Sequence, residues 1–475
     1  MADILKPDLC IIGGGALGIG LAIKARQRGA SVVLIERRGD EPGDPAQGAL
    51  LRAAFLASAD RAQAIRTAGN LGLDNAEPKT NFRGISERAA AIADAAAPRE
   101  SEERLAALGV TVLGGVAEFT ERHTLKAGDA LIRARQFVLA TGARPLVPAL
   151  PGLDQVPYFT PDTILANIRK LSHLVVIGGE PAAFELAQAY RRLGSAVTLV
   201  PQDGLLPGFE PELVAILLRA LREEGVVIRD DAEVTAIVPR SQGTGVTLRV
   251  ADGEDGLDVS HILLAMGRVP LLDDALLDKL KLRRDKQRPD HLLVSADGQT
   301  SNGRVSALGG AAGEHQPHIA ARQVGLLVER LLGAGKGRLE PRHLPRLVAT
   351  NPALAQVGLP DAAEPLRSGQ TVLRANLAES DAARALSQPL GSVRLIAGRH
   401  GAIAGAGAVG PAAGDVIALV ALAMARGMAL GDLTQLALPQ PSVAAALIDL
   451  AEQHMAQQQP SSLRRRLPGL GRLLP

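Results

Sequence analysis

At 475 residues the chain is long enough for several domains, and 52 basic against 50 acidic side chains leave a formal net charge of only +2. Its arginines are scattered among acids, except at the extreme C-terminus, which argues against a nucleic-acid binder. A single cysteine, Cys10, excludes a disulfide framework and a thiolate zinc site, and with no tryptophan, two tyrosines and seven phenylalanines the cores must be built from Leu, Val, Ile and Ala.

Residues 1–8 have no charged start followed by a long apolar core, so no signal peptide is expected. Leu9 to Ile12 reads as a short buried strand. Gly13, Gly15 and Gly18 follow at once, then Leu21, Ala22 and Ala25 on one helical face. Ser31 to Ile35 is the next strand and Glu36 ends it. This is the strand, turn, helix, strand unit that holds a dinucleotide. Gly13 permits the tight turn, Gly15 admits a pyrophosphate to the helix N-terminus, and Gly18 lets helix and strand pack closely. Glu36 stands where a carboxylate accepts hydrogen bonds from an adenosine ribose. The alternative is a retained fold with an empty site.

Residues 46 to 107 read as helices rich in alanine and arginine, and short alternating strands run from Val110 to Arg133. Phe137 to Ala140 is another buried strand. It runs into Thr141-Gly142, a mark of close backbone approach to a ligand or of a crossing between domains. Pro148, Pro151 and Gly152 then break the periodicity, and a domain boundary is expected there.

Leu174 to Ile177 opens a second unit of the same kind, with a helix through Leu186, Ala187 and Tyr190 and a strand from Ala196 to Val200. Its glycine pattern is broken. Glu180 stands at the second required glycine and sets a negative charge where a pyrophosphate would sit. Pro201 and Gln202 follow the strand, so no acid reads a nicotinamide ribose and no arginine offers a 2′-phosphate site. Poor dinucleotide binding is expected, with a unit kept for packing as the simpler reading. Beyond residue 341 the strands around Val372 and Val393, a small-residue strand from Ala402 to Val409 and apolar helices at 415–424 and 443–451 suggest a separate α/β layer. Leu463 to Leu474 mixes four arginines with five leucines, suited to an anionic surface or a partner, although Pro468, Gly469 and Gly471 interrupt a regular helix. His315 and His318 are three apart without a ligand cluster, and no metal site is expected.

The arrangement resembles the class I pyridine nucleotide-disulphide oxidoreductases, which include dihydrolipoamide dehydrogenase, glutathione reductase and mercuric reductase. The likeness runs from residue 8 to 455. It rests on the Gly13 turn, the Val138-Leu139-Ala140-Thr141-Gly142 crossover, Leu205-Leu206-Pro207-Gly208-Phe209, Leu264-Ala265-Met266-Gly267-Arg268-Val269-Pro270, Asn351-Pro352 and Val357-Gly358-Leu359. The departures fall on the chemistry. Where the family carries paired redox cysteines and a flavin-side lysine before its first long helix, this chain has a shortened loop, with Asp44 near the second cysteine and Gly48 near the lysine. The family's glycine-aspartate pair, whose acid contacts the ribityl-phosphate region of a flavin, becomes Gly309-Gly310. His318 resembles the flavin-side helix start, where it either contacts a flavin or only caps and packs. In Ala437-Leu438-Pro439-Gln440-Pro441, Leu438 replaces the catalytic histidine, and Val443 to Ala445 supply no acid to orient one. Loss of thiols, lysine, histidine and acid together removes the disulfide mechanism.

The fold class expected is α/β, with two Rossmann-like dinucleotide-binding domains and a C-terminal α+β interface domain. The expected FAD-binding domain covers 1–150 and 273–340, an NAD(P)-binding-like domain 151–272, a dimerisation domain 341–455 and a basic, apolar tail 456–475. The resemblance implies FAD as cofactor, held through Gly13, Gly15, Gly18, Glu36, Thr141, Gly142, Gly309, Gly310 and His318, and poor NAD(P)H binding. It further implies a homodimeric flavoprotein without dithiol chemistry, with a protein, quinone or small molecule as electron partner. The alternative is a non-catalytic homodimeric binding or assembly protein. A cytoplasmic location is expected, with the tail as a weak membrane or partner contact.

Overall fold

The computed structural model describes residues 4–37, 45–96, 101–333, 340–359 and 368–458; Asp44 and the arginine- and leucine-rich tail fall outside them. The chain divides into two units, 1–207 with 222–341, and 208–221 with 342–475.

In the first unit, Leu9–Ile12 is buried at every position and lies in the middle of a five-stranded parallel sheet. The strand order is 305–307, 136–139, 9–12, 32–36, 110–114. Continuous apolar runs of this kind suit strands covered on both faces. Alternate residues supply the two cores. Leu9 and Ile11 pack with Leu21, Ala22, Val324 and Leu327 beneath helices Ala16–Gln27 and Pro317–Leu332. Cys10 and Ile12 pack with Phe119, Leu125 and Ile132 from a four-stranded sheet on the opposite face. The strand order reverses at Leu9–Ile12, which places a ligand crevice at its carboxyl end.

The same plan recurs further along this unit. A four-stranded parallel sheet has the order 227–228, 196–200, 173–177, 261–264, and an antiparallel meander of 233–239, 244–250 and 253–259 accompanies it. Helix Pro45–Arg66 from the first half packs on helix Pro181–Arg192 from the second. Tyr190 is fully buried between Phe55 and Phe82, with ring centroids 5.5 and 6.0 Å away, and its hydroxyl donates to the Ile164 carbonyl at 2.9 Å. Beside it Arg192, only 4% exposed, pairs with Asp60 and, through Nε at 2.8 Å, with Glu224.

The second unit is built on an antiparallel five-stranded sheet, ordered 346–348, 353–357, 403–410, 392–397, 371–376. Val416, Ile417 and Val420 of helix Ala413–Ala425 and Leu447 and Leu450 of helix Ala445–Gln458 fill its core. The segment 208–221 is fastened here by polar contacts. The buried Gln356 amide accepts from the Glu210 N–H at 2.9 Å and donates to the Gly208 carbonyl at 2.6 Å. Arg394 pairs with Glu210, and Arg374 pairs with Glu212 at 2.8 Å. Among the described residues no helix is long and apolar enough to cross a membrane.

Candidate dinucleotide site

The site follows from how the Gly13 turn is made. Gly13 has φ +122°, and its N–H donates to the Ile35 carbonyl at 2.9 Å. A Cβ at Gly13 would lie 2.1 Å from the Ala140 carbonyl oxygen, and one at Gly18 would lie 2.0 Å from the Gly13 carbonyl oxygen. Both positions are therefore closed to any side chain. Gly15 is the N-cap of helix Ala16–Gln27, with an extended backbone and no side chain to cap the turn. The helix start thus offers main-chain N–H groups and a positive end to an anion. Glu36 ends its strand half-buried and folds back over the turn, so a Cβ at Gly14 would meet its Cγ at 2.8 Å.

Thr141 and Gly142 leave the neighbouring strand, Gln136–Leu139. The Thr141 hydroxyl is buried without a hydrogen-bond partner. Gly142, at φ +76°, has no atom within 4 Å of its Cβ position. Gly309 and Gly310 follow strand Val305–Ala307. The Gly309 N–H donates to Gln323 Oε1 at 3.1 Å, and the Leu17 side chain lies over that glycine. His318 is exposed in the first turn of helix Pro317–Leu332. Gly13, Gly15, Glu36, Thr141, Gly142, Gly309 and Gly310 lie at or just beyond the carboxyl ends of four adjacent strands, Gly18 packs on Gly13, and His318 opens the helix that follows the last of them. An unsatisfied hydroxyl, open space at Gly142 and a helix N-terminus form a fit for a dinucleotide such as FAD.

Gly48 lies on helix Pro45–Arg66 with open space at its Cβ position. One turn later Arg52 pairs with the buried Glu185 at 3.6 Å. That contact was not evident in the sequence, because its partners are far apart in the chain.

The second turn repeats the first in its main chain and departs from it in its surroundings. Gly178 has φ +141°, its N–H donates to the Val200 carbonyl at 3.0 Å, and a Cβ there would lie 2.1 Å from the Ala265 carbonyl oxygen. Where Glu36 covers Gly14, the main chain of 202–206 covers Gly179. A Cβ at Gly179 would lie 1.8 Å from the Gly204 carbonyl oxygen, and the Gly179 carbonyl accepts from the Leu206 N–H at 2.9 Å. Gln202 is turned aside to accept from the Val234 N–H at 3.2 Å. Glu180 is the N-cap of helix Pro181–Arg192, and its Cγ lies 3.6 Å from the Cβ position of Gly267. The Glu180 side chain therefore lies against the turn that follows strand 261–264.

No chemistry is available to thiols. Cys10 is fully buried in its strand, and burial pushes its thiol up to about 12. In the second unit Leu438 is partly buried against the hydrophobic core. Among the described residues no group of His, Cys, Asp and Glu could hold a metal ion.

The family model described as pyridine nucleotide-disulphide oxidoreductase matches residues 7–325, and the model of that family's dimerisation domain matches 344–451. Mercuric reductase from Streptomyces lividans is 30% identical over 451 residues, covering 93% of this chain and 94% of that protein. Dihydrolipoyl dehydrogenase from Thermus scotoductus is 29% identical over 460 residues, covering 94% and 96%. The solved structure of LpdA from Mycobacterium tuberculosis superposes with a TM-score of 0.82 at 24% identity, covering 95% of this chain and 100% of that one. The HOCl-induced flavoprotein disulfide reductase RclA from Escherichia coli does so at 0.80 and 22%, covering 94% and 99%. These two likenesses concern the fold. With two Rossmann-like domains, a dimerisation domain and one cysteine in the whole sequence, the chain belongs to the pyridine nucleotide-disulphide oxidoreductase family and carries its flavoprotein-oxidoreductase fold without a redox-active disulfide.

Proposed function

We propose that this protein is a homodimeric flavoprotein that binds FAD at the Gly13 turn and does its redox work without dithiol chemistry. The observation that carries this reading is the contrast between a complete first nucleotide turn, backed by Glu36, and a lone thiol held inert by burial. Gly15 and the first turn of its helix would hold the pyrophosphate, and Glu36 the adenosine ribose. Thr141, Gly142, Gly309, Gly310 and the His318 end of its helix would flank the flavin half. When bound, FAD supplies the electron-carrying group that the side chains lack.

Glu180, Pro201 and the main chain of 202–206 all weigh against a nicotinamide dinucleotide at the Gly178 turn. The electron donor is then a small molecule, a quinone or a protein. Homodimerisation is assigned to residues 341–455, the region of the matched dimerisation domain.

The visible spectrum of the purified protein tests the cofactor. Flavin absorbance, or its recovery on adding FAD, is expected; a colourless protein that takes up no FAD refutes the reading. Titration with NADH and NADPH tests the Gly178 turn. Flavin reduction should be slow at micromolar reductant, and Glu180→Gly should speed it. Light scattering should give twice the 49.3 kDa chain mass.

The second reading, a non-catalytic binding protein, is favoured by the loss at Gly48 and Leu438 of both ionisable groups that the family resemblance would require. It gains if bound FAD resists every donor class tried.

A further inference from the structure

Four basic side chains from three separate segments of the first unit come together. Arg268 stands on the short strand Arg268–Pro270, Arg288 and His291 on the loop after helix Asp274–Leu280, and His315 just ahead of helix Pro317–Leu332. Close packing joins these segments. Strand Arg268–Pro270 pairs with Ala143–Pro145, and a Cβ on Gly310 would lie 2.9 Å from both the Ala143 nitrogen and the Ala143 Cβ. A Cβ on Gly313 would lie 2.9 Å from His291 Cδ2.

Arg268 is anchored at two of its three nitrogens. Nη1 donates to Asp162 Oδ1 at 2.7 Å and Nη2 to the Ala143 carbonyl at 2.5 Å, while Nε is buried without a hydrogen-bond partner. His291 Nδ1 is buried without a partner as well. His315 differs, because the residue reaches solvent while the Arg268 main chain hydrogen-bonds its ring.

The charged groups that govern the His315 ring are all basic. Loss of water is the largest cause pushing its imidazole down to about 4; Arg268, His291 and Arg288 add to it, against the hydrogen bond to the Arg268 main chain. The neighbouring carboxylates are engaged elsewhere. Asp162 pairs with Arg268, and Asp285 and Asp290 act on His291. Asp285 also accepts from the Gln287 N–H at 2.8 Å, and Glu314 from the Gln316 N–H at 2.7 Å. An anion at this place would offset the repulsion that Arg268 exerts on an imidazolium.

We propose that His315 and Arg268 form a docking site for an oxyanion, the carboxylate or phosphate of a small-molecule ligand, with Arg288 adding to the attracting field. With FAD bound, that ligand would lie beside its flavin half, because Arg268 is bonded to the residue after Gly142. This consequence rests on the FAD reading above, and it selects an anionic small molecule among the electron partners named there. Anion and proton favour each other at this site, so the ligand binds more tightly as pH falls.

Sulfate is the probe, since its charge is constant across the titration. The full-length protein with isotope-labelled histidines is titrated with acid and followed by NMR, with chloride replaced by sulfate at constant ionic strength. His315, identified by the signal missing from His315→Gln, should titrate about one pH unit higher in sulfate, a tenfold gain in proton affinity. Histidines outside the cluster should stay in place. Arg268→Gln should abolish the response, and the exposed change Arg288→Gln should weaken it. Formate in place of sulfate tells a carboxylate site from one for a tetrahedral anion. A His315 that neither anion moves overturns the proposal. An equal shift of every histidine also overturns it, since that marks an adventitious ion only. In the FAD-loaded protein sulfate should perturb the flavin absorbance, and should fail to do so in His315→Gln. A flavin that ignores sulfate while His315 responds refutes the placement beside the cofactor. A protein that takes up no FAD refutes the FAD reading, and the His315 titration then decides the oxyanion site by itself.

Discussion

Gly13 lies against Ala140 so closely that a Cβ on the glycine would stand 2.1 Å from the alanine carbonyl oxygen, and Gly178 stands in the same relation to Ala265. In each turn the glycine also has a positive φ. The first glycine of both turns is thus demanded by the backbone, whatever the turn binds. Gly13→Ala and Gly178→Ala should each cost about 3 kcal/mol or more of stability, from strain and overpacking together. Urea unfolding of the two variants checks this. A neutral Gly178→Ala would mean that the second turn is not built as the first is.

Arg192 is the charge on which two helices and a loop converge. It is 4% exposed and pairs with Glu224 and Asp60, which are 14% and 48% exposed. Removing one member of a buried ion pair leaves the other uncompensated and costs about 3–5 kcal/mol. Arg192→Ala should therefore lower the urea midpoint far more than Arg374→Ala, whose pair with Glu212 is solvent-exposed and worth about 0–1 kcal/mol.

The Gly13 turn was legible because its signals are local: an apolar run, glycines at fixed spacing and an acid closing the next strand all fall within residues 9–36. Glu180 was legible for the same reason. Three features were not. The orphaned Thr141 hydroxyl and the closure at Gly310 depend on segments 141–143 and 309–311 meeting through the sheet, far apart in the chain. The covering of Gly179 by 202–206 depends on main-chain conformation, with Asp203 and Leu206 both at positive φ, which residue type does not announce. The attachment of 208–221 to the C-terminal unit rests on Gln356 and Arg394 reaching Gly208 and Glu210, and an amphipathic helix pattern does not say which core it serves.

Two imidazoles should make stability depend on pH. His173 and His261 open adjacent strands of the second parallel sheet, and burial holds both below the ordinary 6.5. Between the folded values and 6.5 the unfolded chain binds more protons than the native one. The stability gained by keeping these rings neutral is fully present above about pH 6.5 and is lost as pH falls through that window. Thermal midpoints taken from about pH 7.5 down to about pH 5.5 should decline, and the double variant His173→Gln, His261→Gln should decline less.

Cys10 should be silent in the native protein. Its thiol is shut in the central strand and pushed up to about 12 by burial, so no thiolate forms at ordinary pH. A thiol reagent at about pH 8 should label the denatured chain fully and the native protein hardly at all. Cys10→Ala should leave any flavin spectrum unchanged. Rapid native labelling would contradict the placement of this residue.

The most direct test of the account is an anaerobic reductive titration of the FAD-loaded protein, followed in the visible. A flavoprotein with no redox disulfide should take up the electrons needed to reduce its flavin and no more, in a single phase. The end point should be the same in Cys10→Ala. Uptake of further reducing equivalents before or after the flavin bleaches, or a protein that holds no flavin to titrate, would contradict the central claim.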